Sequence, residues 1–368
     1  MSIKLPAEIT SVYSIVPASI HELAHAAVMI GSNADLKSLL ILAPTARMLP
    51  DGFEGELLQL KDRVMLRCPC NPANAAALRQ HFPWTKPVSI PQDRSAVYGN
   101  AVAGQSQIFP IPARQTTQET MNGKPFQDAV SEAIFLAYET NFRAGWGAEA
   151  ARLQTMEDID AALDAGVTIF SLDIAGMMNT AASDWNDGAV NAAFEALDSA
   201  LRNRIESEYA GQTFINGDCA VEIDRITAHR CTVMYIEALD FVEKVRHHLV
   251  KRGGEDLSLE IALDQTPSAT LPAQHFFLLR ELRRRNITIS SLALRFPDNT
   301  EELAQLLKTH ARIAEANGNY MLTVPATADF LTAYSGIAGE PVRLKITGTK
   351  AEAKYTEEII ALLSANRK

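Results

Sequence analysis

Cysteine is scarce in this chain of 368 residues, which holds four: Cys68, Cys70, Cys219 and Cys231. So thin a supply cannot staple a disulfide scaffold of this size and fits a reducing compartment. The spacing also fails for a thiolate zinc site, because a single proline separates Cys68 from Cys70 while Cys219 and Cys231 stand far apart. They read as buried, unpaired thiols. Long apolar runs are missing too. The most apolar stretches, 36–44 and 166–174, fall well short of the roughly 18 residues that cross a bilayer, so no membrane span is expected. Residues 1–6 carry one Lys with no continuous apolar core behind it, which is not the pattern of a secretory leader, and a cytoplasmic protein is expected. Positive charge is in deficit, 34 Lys and Arg against 44 Asp and Glu for a net charge of −10. No net field then draws in nucleic acid or an acidic membrane.

What is present is an ordinary hydrophobic share of 47%, enough for a packed core. From residue 87 onward, short β-branched or apolar runs alternate with longer segments of helical period, the pattern of repeated β-α units. Strands are expected at 87–90, 107–111, 142–146, 167–173, 257–264, 287–296, 320–324 and 342–347. Eight of them predict an α/β fold, a (β/α)8 TIM-like barrel. Thr155 with Glu157 and Asp158 starts a helix that Gly166 stops, and Asn299 and Thr300 start another that runs to Ala316. The 80 or so residues after Asp173 are too many for a simple crossover. They hold two helical patterns around a hairpin at 213–226, so 176–256 reads as an insertion capping the mouth of the barrel. Residues 1–86, with strands at 39–42 and 63–67 and a helix at 74–81, read as an N-terminal accessory α/β layer beside the 87–368 barrel.

The sharpest short motif is His21-Glu22-Leu23-Ala24-His25, which on a helix would hold zinc between its histidines. It lacks a third ligand, since Val28 and Gly31 stand where the extended motif has Gly and His, and the capping box formed by Ser19 with Glu22 is the stronger reading. A zinc hydrolase is therefore the remote alternative. The adjacent His247 and His248, on a helix among Lys244, Arg246, Lys251 and Arg252, read as part of a solvated basic face. More informative are polar residues at the expected C-terminal strand ends, where a barrel makes distant side chains converge. They are Asp93 and Arg94, Arg114 and Gln115, Glu149 and Arg152, Asp173, Asp264 and Gln265, Arg295, Asp329, and Lys345 to Thr349. Carboxylates there can serve as acid and base or hold a hard cation, and Arg or Lys can neutralise a carboxylate or phosphate. The mixture suits a small anionic, hydroxylated ligand.

Several segments resemble the bacterial tagaturonate epimerase family, which inverts a carbon centre in keto sugar acids. Gly145-Trp146-Gly147-Ala148-Glu149-Ala150, with the strand ending in Asp173, is similar to that family's G-x-G-A-D-A segment and its following strand. Arg280 to Arg285 with Leu292 to Phe296 resembles an E-L-R-R-R and L-A-L-R-F stretch, and Lys345-Ile346-Thr347-Gly348-Thr349 resembles the last strand's K-T-A-G-T. Asp93-Arg94 and Gln115 to Glu119 also fit, and the resemblance runs from residue 87 to the C-terminus. It implies a sugar-acid ligand met by Asp93, Arg94, Gln115, Glu149, Arg152, Gln265, Arg295 and Lys345, with Asp173 and Asp264 as acid–base residues of any epimerisation. It also implies a divalent metal cofactor. The usual ligands are replaced, however: Ile174 to Met177 follow Asp173, Gln265 stands for a Glu, and Pro325 stands for a His. A neutral amide and a proline are poor substitutes, so the metal site is expected to be lost or rebuilt from Glu149, Asp173 and Asp264. The reading is a divergent relative with altered or lost epimerisation, the alternative being an inert binding or regulatory protein; a homo-oligomer is left open.

Overall fold

The structure is a computed structural model, and it describes residues 5–34, 36–98, 108–216, 219–318, 320–337, 343–348 and 353–365. The expected strand residues Gln107 and Val342, the site residue Thr349, and residues 1–4 lie outside the described residues.

Eight parallel strands close on themselves. They are β1 (Ser95–Tyr98), β2 in two pieces (Ile108–Ile111 and Ala113–Thr116), β3 (Ala148–Leu153), β4 (Ile169–Asp173), β5 (Ser258–Ala262), β6 (Ser291–Ala293), β7 (Met321–Pro325) and β8 (Leu344–Thr347). Each pairs in parallel with its neighbours, β8 pairs with β1, and the two pieces of β2 join β1 on one side and β3 on the other. The result is the α/β barrel that the alternation predicts, with helices α1 (Phe126–Thr140), α2 (Met156–Ala165), α3 (Arg225–Gly253), α4 (Pro272–Arg284), α5 (Thr300–Ala316), α6 (Ala328–Gly336) and α7 (Ala353–Ala365). Two of their boundaries follow directly from local chemistry. The Thr155 hydroxyl accepts from the Asp158 N–H at the start of α2, and Gly166 ends it at a φ of 82° that a side chain would disfavour. The Asn299 side chain caps α5 through the N–H groups of Glu301 and Glu302.

Three expectations for the elements need correction. The first barrel strand is 95–98, not 87–90: the prolines at 87 and 91 keep that segment out of the sheet, and it crosses the barrel floor with the Ile90 N–H donating to Ser258 Oγ at 2.9 Å. The third is 148–153, not 142–146, so Glu149 lies within a strand instead of after one. His21–Leu23 is a strand antiparallel to Ala26–Asn33, with Ala24 at the turn, so neither the zinc helix nor the capping box exists. Ser19 instead donates its hydroxyl to the Val16 carbonyl and accepts from the Ile30 N–H.

The N-terminal layer is an antiparallel sheet with the helix Pro72–His81. One face, with Val28, Ile30, Leu39 and Ile41, packs into the apolar cluster shared with the barrel, and the other is covered by Ile9 and Tyr13. In the insertion after β4 the first expected helical pattern is split into two helices, Asp187–Glu195 and Ser199–Glu208, the hairpin is Gln212–Asn216 with Cys219–Ile223, and the second pattern is α3. The insertion is no cap. Arg204 pairs bidentately with Glu281 of α4 at 2.7 and 2.9 Å, and Tyr209 donates to the same carboxylate, which fastens the insertion to the barrel's outer helices. None of the four cysteines is in a disulfide; Cys68 and Cys231 are buried as expected, while Cys219 is half-buried and Cys70 is exposed.

Candidate active site

The barrel interior changes character from floor to mouth. At the N-terminal end, Ile90, Ala96, Phe109, Ile111, Ile169 and Met321 form a separate apolar plug. Above it the inward positions turn polar. Lys345, fully buried on β8, donates to Glu149 Oε1 at 2.7 Å and to Glu260 Oε2 at 2.8 Å. Glu260, 3% exposed on β5, also accepts from the hydroxyls of Ser171, Ser291 and Thr323, so one carboxylate gathers side chains from β4, β6, β7 and β8. Burial alone would raise the Glu260 carboxyl, but the Lys345 ammonium and the hydroxyl donors pull it down to about 2. Burial would likewise lower Lys345, and Glu149 and Glu260 reverse this and hold it raised.

Over this floor opens a cavity of about 410 Å³, within the usual range for a small-molecule site. Glu149 lines it; the carboxylate is 2% exposed, and its second oxygen, Oε2, has no hydrogen-bond partner among the described residues. Arg114 of β2 lines it too, its guanidinium carbon 4.9 Å from the centre of the Tyr98 ring and paired with no carboxylate among the described residues. At the mouth, Arg152 of β3 grips Asp264 through two parallel bonds of 2.8 and 2.7 Å and lies 3.7 Å from Asp173. Arg295, Gln265, Asp298, Asp329 and Thr327 complete the rim, with Arg295 only loosely tied to Asp298 at 3.4 Å.

Of the expected site residues, Glu149, Arg152, Gln265, Arg295 and Asp264 therefore converge, Lys345 lies directly beneath them, and Asp173 stands behind Arg152. Asp93 and Arg94 do not join them. They precede β1 and so sit at the opposite, N-terminal end of the barrel. Gln115 is also turned away and donates its amide to the Lys124 carbonyl at 2.7 Å. Regular alternation would put Phe109, Ile111, Ala113 and Gln115 on one face, but the break at Pro112 shifts the phase by one residue and points Arg114 inward instead. Glu260 was missed altogether. Its signal was the alternation Ser258, Glu260, Ala262, Asp264 against Leu259, Ile261, Leu263 in a strand read simply as apolar.

Comparison with known proteins now decides the family, because the profile of the tagaturonate epimerases matches residues 16–350. The chain belongs to the tagaturonate epimerase family. A curated member, the tagaturonate/fructuronate epimerase of Thermotoga maritima, is 27% identical over 351 residues, 89% of this chain and 71% of that one. The glycerol-bound crystal structure of fructuronate-tagaturonate epimerase UxaE from Cohnella laeviribosi superposes with a TM-score of 0.81 at 24% identity, covering 91% of this chain and 72% of that one. Its native form gives 0.79. The family match begins inside the N-terminal sheet, so the kinship is broader than the barrel alone.

Whether this family member's residues fit a divalent metal can be read from its donor set. Both Asp264 oxygens face Arg152, Asp173 faces Arg152 and the Ala175 N–H, and Glu149 faces Lys345. Among the described residues no histidine lines the cavity, and no three His, Cys, Asp or Glu side chains converge on a metal position. The residues do not fit one.

Proposed function

We propose that the cavity binds a keto sugar acid or a related polyol anion, and that inversion at carbon is altered or lost. The observation that carries the reading is Arg114, a guanidinium lining the cavity and free of ion pairs with the described residues. It suits a ligand carboxylate, with Arg295 as a second cation and Gln265, Asp329 and Thr327 placed for hydroxyls. Family membership supports the sugar-acid class.

Epimerisation beside a keto group needs a base and an electrophile for the enediolate. Asp173 and Asp264 are the acid–base candidates, but their engagement by Arg152 leaves neither carboxylate free to take a substrate proton unless that pairing opens. Calorimetric titration with tagaturonate and fructuronate tests the binding, and Arg114→Gln is expected to weaken it by about 10- to 100-fold, the loss of a charge-assisted contact. Turnover with added Mn²⁺, Ni²⁺ or Zn²⁺ is expected to be weak or absent. Rapid metal-dependent turnover, abolished by EDTA and restored by one ion, would overturn the loss of activity, and an absence of binding would overturn the ligand class.

A further inference from the structure

The two strand-end carboxylates that would need a cation already have one, and it belongs to the chain. Asp173 ends β4 and Asp264 follows β5, so the closed sheet brings together groups that are far apart in sequence. Both face the Arg152 guanidinium, Asp264 through a two-pronged bond and Asp173 at 3.7 Å. Arg152 reaches this point through a local irregularity. The pairing of β3 with β4 shifts register between Ala150 and Leu153, and Arg152 adopts a φ of 64°, a left-handed conformation that is costly for any residue with a Cβ. Its carbonyl is held by the Thr117 hydroxyl at 3.1 Å. An ideal strand would send alternate side chains in and out; here Ala151 and Arg152 both line the cavity. Glu149, a buried carboxylate whose Oε2 has no hydrogen-bond partner among the described residues, lines the same cavity.

We propose that Arg152 is the resident cation of this barrel mouth, its guanidinium taking the position between Asp173 and Asp264 that a divalent ion would need. It keeps the site metal-free and faces the oxygens of the bound ligand as their charge partner; that last clause rests on the binding reading above. A guanidinium differs from a metal ion in ways that can be measured. It is covalently part of the chain and cannot be chelated, it carries one charge, and it holds oxygens by in-plane N–H donation without coordinating them. Its removal would leave Asp173 and Asp264 without the cation they share, and two uncompensated carboxylates attract a hard cation.

The test uses the full chain. Metal content is measured on purified wild-type protein, which is then titrated with Mn²⁺, Ni²⁺ and Zn²⁺ alone, and the titrations are repeated on Arg152→Ala and Arg152→Gln, the second keeping most of the bulk should the first not fold. The wild type is expected to hold no stoichiometric metal, and its tagaturonate affinity to be unchanged by EDTA. The variants are expected to bind one divalent ion at least about tenfold more tightly than the wild type, with a Tm that rises with ion concentration only in the variants. One tightly held equivalent of metal in the wild type overturns the proposal, as do folded variants that gain no metal. A wild type that takes neither metal nor sugar acid would defeat the binding reading and leave the resident cation in place.

Discussion

At the scale of single residues, the interior of this barrel is held by charge. Lys345 and Glu260 are buried ions whose desolvation is offset by mutual attraction and by a full set of hydroxyl donors on Glu260. Removing one partner of such a set strands the other without a counter-charge. Lys345→Met is therefore expected to destabilise the fold by about 3–5 kcal/mol, because Glu149 and Glu260 would remain buried and uncompensated. Urea denaturation measures it, and a loss below about 1 kcal/mol would show that the floor tolerates two bare carboxylates. Gln115, an expected ligand contact, is turned toward the Lys124 carbonyl. Its chemistry is suitable, yet a one-residue phase shift at Pro112 gives the cavity to Arg114.

At the scale of elements, a buried relay joins α4 and α5 to the rim. His310 Nε2 lies 3.0 Å from the Thr270 carbonyl, which can only accept, so this nitrogen carries the proton. A neutral His310 then accepts at Nδ1 from His275 Nδ1–H at 2.9 Å, and His275 Nε2 accepts from the Tyr320 hydroxyl. Thr270 in turn holds Arg295, donating its N–H to the Arg295 carbonyl and accepting from the Arg295 N–H. Burial lowers both histidines, His310 to about 4 and His275 well below its ordinary value. Because the folded state disfavours protonation, the stability from this relay is complete above about pH 6.5 and is lost as pH falls toward the depressed folded value. For His310 alone the loss approaches about 3 kcal/mol near pH 4. Denaturant midpoints measured from pH 7 to pH 4 should fall in the wild type and fall less in a folded His275→Phe, His310→Phe double variant. Equal slopes would remove the relay from the account.

For the whole molecule, the decisive feature is that sheet and barrel share one apolar cluster. Val28 and Leu39 of the N-terminal sheet belong to the cluster that includes Phe170 and Leu292 of the barrel. Tyr138 of α1 donates its hydroxyl to the Val28 carbonyl at 2.9 Å and stacks on Trp84. Layers joined this way should unfold together. Near-ultraviolet dichroism, sensitive to Trp84 at the junction and Trp146 in the barrel, is expected to coincide with far-ultraviolet dichroism in a single transition. Two separated transitions would show that the sheet is an independently stable unit. No helix among the described residues is long and apolar enough to cross a membrane, in line with the short apolar runs of the sequence.

Local chemistry by itself determined the alternation of strands and helices, the caps at Thr155 and Asn299, the hairpin in the insertion and the acidic and basic residues available near the strand ends. These depend on residues within a few positions of one another, so they are visible along the chain. The tertiary structure alone decided which side chains face the cavity. Strand phase depends on breaks such as Pro112 and the shift at Arg152, and those are set by the register of neighbouring strands. It also decided which end of the barrel each residue reaches, moving Asp93 and Arg94 to the floor side, and which charges meet. Glu260, Lys345 and Glu149 come from β5, β8 and β3, and only closure of the sheet makes them neighbours. Ion pairs between distant strands leave no periodic trace in a sequence, because the attraction acts through space after the barrel has formed.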